Sequence, residues 1–207
     1  MSASASAEAR KALKDAAGYL LALAGSIPAD GWTKPALGEW NVRDLLGHAL
    51  RAFTTIETYL QTPASGEAQL GSSADYFASA LDRADPGQVA ERGREAGAAL
   101  GDDPVASARD IVQRVLSLVD ATPDDVLLPT PFGTIRLADY IPSRVFELTV
   151  HSLDLASALG EPLQAPEPAL RLTMDLTAEL LVRRGRAAEV ILAATGRGPL
   201  PPGFTLF

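Results

Sequence analysis

Long stretches with helical hydrophobic spacing, separated by proline and glycine, constrain the fold of this chain more than any other feature. In residues 7–24 the apolar side chains recur every three to four positions, as an amphipathic helix requires. The same spacing recurs in residues 42–61, 87–120 and 137–159, and strand patterns are almost absent. The sequence therefore predicts an all-α protein.

Capping residues predict where the first two helices end and begin. Gly25 follows the first helix and provides the usual C-terminal stop. Asn41 is a good N-cap for a helix that begins at Val42, because its side-chain oxygen can accept a hydrogen bond from the Asp44 backbone N–H. The first six residues, in which Ser and Ala alternate, are expected to fray.

A long connection separates the second helix from the third. It runs to about residue 86 and can include a short helix at 74–83, and its length permits a crossover. The third helix, 87–120, is expected to bend or split at 101–104, where a proline can begin its second piece. We interpret residues 132–135 as a turn or a lone β-bridge.

The last long helix is expected at 137–159, with Gly160 as its C-terminal cap. Pro142 falls near its first turns and leaves its start open. Shorter helices and a tail rich in proline and glycine follow. The expected C-terminal helices are 167–184 and 187–194, and the expected domains are a bundle at 1–165 and a helical extension at 166–207 that packs on it.

Charge and hydropathy limit the possible partners. Lys and Arg number 18 against 26 Asp and Glu, a net charge of −8, so we do not expect nucleic acid as a partner. No apolar run approaches the ~18 residues that cross a bilayer. Lys11 and Lys14, followed by the apolar residues 16–26, resemble the start of a signal peptide, but the charge of Asp15 interrupts this pattern. We therefore expect a cytoplasmic protein without a membrane contact. Monomer and homodimer both remain open.

The chain has no cysteine and two histidines. Disulfides, thiolate metal sites and cysteine nucleophiles are therefore excluded, and any metal would have to be bound by histidine and carboxylate.

Both histidines lie at inward edges of predicted helices. Glu147 and His151 are four residues apart, so their side chains share one face a turn apart. His48 flanks the apolar stripe of the second helix. A Glu-x-x-x-His pair is commonly a solvated hydrogen bond, and a single helical histidine is commonly structural. From these residues alone, a metal site and a structural role both remain open.

Several blocks of the sequence occur in an order that is more specific than any one of them. They are GEWNVRDLLGH (38–48), PFG (131–133), LADY (137–140), RVFELTVHSLDLA (144–156), ALG (158–160) and AATGR (193–197). Together they resemble the actinobacterial maleylpyruvate isomerase family of mycothiol-dependent enzymes, within the DinB-like superfamily.

The resemblance implies a DinB-like four-helix bundle with a long crossover between its second and third helices. It also implies a divalent metal, usually zinc, bound by His48, Glu147 and His151. Full isomerases of the family carry a larger C-terminal domain that contributes substrate contacts. Only short helices are expected here after residue 166, so the resemblance does not identify maleylpyruvate as the substrate.

Three protein ligands would leave a fourth position on the metal, where a thiol loses its proton. With no cysteine in the chain, that thiol would be a small molecule, which the resemblance identifies as mycothiol. We favour a metal-dependent, mycothiol-using transferase or isomerase whose partners are a small-molecule thiol and an electrophile. The alternative is a non-catalytic binding bundle with a structural or vestigial metal site.

Two further residues are candidate catalytic groups. Asp154 can hold the free ring N–H of His151, or can be a solvated carboxylate on the helix face. Arg144 can meet a substrate carboxylate, or can pair with Glu147. Trp40 is interpreted as a hydrophobic staple at the start of the second helix, and the alternative is a platform for the substrate.

Overall fold

The structure, a computed structural model, describes residues 2–81 and 85–206. Within these ranges the body of the molecule is helical, and strands occur as two short antiparallel pairs, which confirms the expected all-α class. No helix in the same ranges is both long enough and apolar enough to cross a membrane. The elements in chain order are α1 (Ala3–Ser26), β1 (Pro35–Leu37), β2 (Trp40–Asn41), α2 (Val42–Leu60), α3 (Ser73–Leu81), α4 (Pro86–Ala98), α5 (Pro104–Ala121), β3 (Leu127–Thr130), β4 (Gly133–Arg136), α6 (Leu137–Leu159), α7 (Glu167–Arg183) and α8 (Ala187–Ala194).

Four helices form the bundle. Helix α1 packs against α6, α6 against α2, α2 against α5, and α5 against α1, so the ring is closed. Fully buried side chains such as Leu20, Phe53 and Leu148 fill its core. Helix α4 packs on α2, and α7 packs on α1 and α6, with α3 against both α6 and α7.

The caps explain where the first helices begin. The N-cap of α2 is present as predicted: the Asp44 N–H donates to Asn41 Oδ1 at 2.9 Å. The structure adds the reciprocal bond of a capping box, in which the Asn41 N–H donates to Asp44 Oδ2 at 3.3 Å. The expected frayed terminus is wrong, because α1 already begins at Ala3. There Ser2 acts as the N-cap and its hydroxyl accepts a hydrogen bond from the Ala5 N–H.

The expectation of a turn or lone bridge at 132–135 is also wrong. Strands β3 and β4, of four residues each, form an antiparallel hairpin in which Leu128 pairs with Ile135, and both side chains are fully buried. Leu70 adds a bridge to Ile135 from the neighbouring connection. Burial against the bundle therefore stabilises a hairpin that is too short to show a strand pattern of its own.

The connection after α2 contains the short helix that was expected at 74–83. Helix α3 covers Ser73–Leu81, and the predicted end at residues 82 and 83 lies outside the described residues. The expected long third helix is split into α4 and α5, and Asp103 caps α5 by accepting a hydrogen bond from the Ala106 N–H.

Helix α6 runs without interruption through Pro142. A proline inside a helix disturbs the hydrogen bonds of the preceding turn. Here the Ser73 hydroxyl of α3 bridges two backbone groups of α6 on either side of Pro142. It donates to the Asp139 carbonyl at 2.6 Å and accepts from the Ser143 N–H at 3.0 Å. Helix α3 thus fixes the turn of α6 that precedes the candidate site.

Candidate metal centre

Helices α2 and α6 bring the two histidines and one glutamate together. One potential ligand atom from each of His48, Glu147 and His151 lies within 4.8 Å of the other two. His151 Nε2 is 3.3 Å from Glu147 Oε2, and the His48 and His151 rings meet edge to face with centroids 4.7 Å apart. The three residues singled out in the sequence therefore form one cluster.

Trp40 and α4 fix the ring of His48. The indole of Trp40 lies against the imidazole with centroids 4.3 Å apart, and its Nε1–H donates to the Ala90 carbonyl at 2.9 Å. A Cβ atom at Gly93 would lie 2.3 Å from the indole. Trp40 therefore holds a candidate ligand in place, a role that its position in the sequence does not reveal because it depends on α4.

Glycine also sets the distance between α2 and α4. A Cβ atom at Gly47, the residue before His48, would lie 2.3 Å from the backbone nitrogen of Gly97. Arg43 extends this contact by donating from Nε to the Gly97 carbonyl at 2.8 Å. The backbone of α4 is thereby held against the turn of α2 that carries His48.

Asp154 contacts the far side of the His151 ring. Its Oδ2 is 3.1 Å from His151 Nδ1, which is hydrogen-bonding distance. Of the two sequence interpretations, the geometry matches the one in which Asp154 holds the ring N–H rather than facing solvent alone. With Nδ1–H donated to Asp154, the Nε2 lone pair of a neutral His151 faces the cluster.

Arg144 is buried and does not pair with Glu147. Its guanidinium lies over the rings of Tyr140 and Tyr76, at 4.5 and 5.1 Å from their centroids. Its Nε–H donates to Ser143 Oγ at 3.0 Å. Among the described residues it has no carboxylate within ion-pair distance, so the pairing alternative is not observed.

Burial and charge set the protonation of the cluster. Burial, assisted by the positive charge of His151, lowers the pKa of His48 to about 3. Burial alone would raise the pKa of Glu147, but the hydrogen bond from His151 and the charge of Arg144 outweigh it and lower this pKa to about 2. Burial opposes the charge of His151 too, yet Asp154 and Glu147 together raise its pKa to about 9.

The residues fit a divalent metal. The Nδ1 atom of His48 is buried and has no hydrogen-bond partner in the part of the chain that the structure describes, a costly arrangement that a bound ion can relieve. Two imidazoles and one carboxylate form a donor set that zinc accepts. His48 is already neutral at pH 7, whereas His151 must lose a proton before Nε2 can bind.

Comparison with known proteins gives one family. A family model described as the mycothiol maleylpyruvate isomerase N-terminal domain matches residues 13–156, which contain the whole His48, Glu147 and His151 cluster. Comparisons with curated proteins and with solved structures give no match.

Proposed function

The chain belongs to the mycothiol maleylpyruvate isomerase N-terminal domain family, and on that premise we propose that it is a metal-dependent transferase or isomerase that uses mycothiol. The observation that carries the proposal is the cluster of His48, Glu147 and His151, whose candidate ligand atoms lie within 4.8 Å of one another.

In this proposal the three clustered residues bind the metal, most readily zinc, and leave one coordination position open. When bound there, a divalent ion supplies Lewis acidity that lowers the pKa of a coordinated thiol. Asp154 retains the Nδ1 proton of His151 and so keeps its Nε2 directed at the cluster. Trp40 restrains the ring of His48.

The thiol comes from outside the chain, because the sequence contains no cysteine. Its sulfur adds to an electrophilic carbon of an epoxide, a quinone or an activated double bond. When the thiol adds across an activated double bond, the S–C bond forms and the π electron pair moves to the neighbouring carbon. The thiol proton is then delivered to that carbon. No oxidant is needed. We also propose a cytoplasmic location, where thiols stay reduced.

Cobalt substitution tests this function directly. We expect the Co²⁺ protein to develop a thiolate-to-metal charge-transfer band when mycothiol is added, and a panel of electrophiles to give mycothiol-dependent products. His151→Ala, which removes a proposed ligand, should abolish both signals. Absence of the band at saturating mycothiol, together with absence of products, would favour the non-catalytic binding bundle.

A further inference from the structure

Exposed apolar side chains are concentrated near the C-terminal end of the described chain. Seven large apolar side chains are exposed in residues 2–81 and 85–206, and five of them lie on α7, on α8 or shortly after α8. Single hydrophobic side chains scattered over a surface are normal, whereas a concentration on consecutive elements indicates an interaction site. The five side chains are 42–65% exposed and belong to Met174, Val182, Ile191, Leu192 and Leu200.

Helix α8 is apolar on every side but is not covered. Seven of its eight residues are Ala, Val, Ile or Leu, and none of the eight is buried. The start of the helix is nevertheless fixed. Arg186 Nε donates to Glu189 Oε2 at 2.6 Å, and the Arg186 guanidinium lies 4.4 Å from the centroid of the Phe204 ring. Because a helix that is hydrophobic all round is normally buried, the uncovered α8 indicates a partner.

The solvent-facing side of α7 carries an apolar stripe that leads toward α8. Met174, Ala178 and Val182 are spaced four residues apart and therefore share one face of the helix. All three are exposed, whereas Leu176 and Leu180 are buried in the core. Val182 lies in the last turn of α7, and α8 begins five residues later. We call this stripe, together with Ile191, Leu192 and Leu200, the α7–α8 face.

The charges on these two helices cancel, although those of the whole chain do not. Residues 167–194 contain four acidic and four basic residues, whereas the chain has a net charge of −8. Copies of the chain repel one another through that net charge, and the repulsion is weakest at a face whose own charges balance. Such a face also attracts neither nucleic acid nor an anionic membrane. Six of the eight charges form ion pairs within the chain, namely Arg171 with Glu167, Arg183 with Glu179 and Arg186 with Glu189.

We propose that the α7–α8 face is a homodimer interface that packs against the same face of a second copy of the chain. With the two α7 helices antiparallel, Ala178 lies at the two-fold axis, where its small side chain permits a close approach. Met174 of each copy then packs opposite Val182 of the other. The inference is independent of the proposed function, because α7 and α8 follow residue 156, where the family match ends, and contain no candidate metal ligand.

The exposed apolar area has the size that such an interface needs. At roughly 100 Å² for each large side chain, the five exposed ones offer about 500 Å² of apolar surface per copy. Homodimer interfaces are about 65% apolar, so this area corresponds to about 800 Å² of total surface per copy. About 800 Å² per partner is the standard size of a specific interface.

Sedimentation equilibrium of the zinc-reconstituted full chain tests the proposal. Interfaces of this size have dissociation constants of about 1 μM or below, so at about 100 μM the wild type should have twice the mass of one chain. Ala178→Glu places a carboxylate of each copy at the two-fold axis, and Ile191→Glu places one on α8. Each variant should raise the dissociation constant at least about tenfold. Both positions are exposed, so both variants should keep the circular dichroism spectrum of the wild type.

Ala106→Glu is the matched control, because Ala106 is also an exposed helical alanine but lies on α5, across the bundle from α6. It should leave the dissociation constant unchanged. A wild type that stays monomeric at about 100 μM would overturn the proposal. A dimer with the same dissociation constant in Ala178→Glu and Ile191→Glu would overturn it too, since the copies would then meet through another face. A monomer that cosediments with phosphatidylcholine vesicles, and loses this binding in both variants, would assign the face to a lipid surface instead.

Discussion

His151 lies between two carboxylates, with Asp154 at Nδ1 and Glu147 at Nε2. In the absence of metal this arrangement favours the imidazolium, because both neighbours accept its protons. A metal at Nε2 would replace one proton and leave the other with Asp154. Asp154 therefore both orients the ring and keeps it basic.

Replacing Asp154 tests that role. We expect Asp154→Asn to weaken zinc binding about 10–100-fold, because an amide polarises the ring less than a carboxylate does. Competition with a chromophoric chelator measures the affinity. Asp175→Asn, at an exposed position of α7, is the control and should bind zinc as the wild type does. An unchanged affinity in Asp154→Asn would show that the carboxylate does not support the ligand.

The candidate ligands could be predicted from the sequence, but their surroundings could not. The four-residue spacing of Glu147 and His151 fixes their common face, and the ordered sequence blocks add His48. The contacts of Trp40 with His48 and with Gly93 depend on where α4 lies, which is a tertiary property. Spacing along one helix carries no information about that packing.

At the scale of elements, the close contact between α2 and α4 positions the turn that carries His48. Gly47 and Gly97 allow the two backbones to approach, and Trp40 packs against Gly93 of α4 and against the ring of His48. The start of α2 was predictable because its N-cap bond, from the Asp44 N–H to Asn41, is local in sequence. The β3–β4 hairpin was not, because Leu128 and Ile135 are ordered by burial in the bundle core.

A methyl group at Gly47 should disrupt this contact. Its Cβ would meet backbone atoms of α4 at 2.3 Å, which flexible side chains cannot relieve. We expect Gly47→Ala to lower the free energy of unfolding by about 1–3 kcal/mol, measured by urea denaturation, and to weaken zinc binding. Gly18→Ala in α1 is the control: nothing lies within 4 Å of its added Cβ, and it should be neutral or raise stability by up to about 1 kcal/mol. Equal stability of the two variants would contradict the close approach.

At the scale of the whole molecule, charge decides how stability depends on pH. The net charge is −8, and burial together with the positive charges of Arg92 and Arg144 lowers the pKa of Arg51.

The stability of the metal-free protein should be greatest near pH 6.5. The pKa of His48 is lowered to about 3, so the unfolded chain takes up a proton below pH 6.5 that the folded protein does not, and stability falls toward acid. Glu147, with its pKa lowered to about 2, adds to that loss below pH 4.5. The pKa of His151 is raised to about 9, so protonated His151 stabilises the folded state. This stabilisation is complete below pH 6.5 and is lost as the pH rises to 9.

Thermal unfolding of metal-free protein across this pH range measures the effect. His151→Gln should remove the decline above pH 6.5, since glutamine does not titrate. A stability that rises steadily from pH 6.5 to 9 in the metal-free wild type would contradict the assigned charge of His151.

The metal content of purified, zinc-reconstituted protein tests the central claim most directly. Elemental analysis should give about one zinc ion per chain in the wild type, as a three-ligand site requires. His48→Ala, Glu147→Gln and His151→Ala, each shown by circular dichroism to be folded, should bind little or none. Occupancy that is unchanged in all three folded variants, or a wild-type protein that binds no metal, would contradict the account.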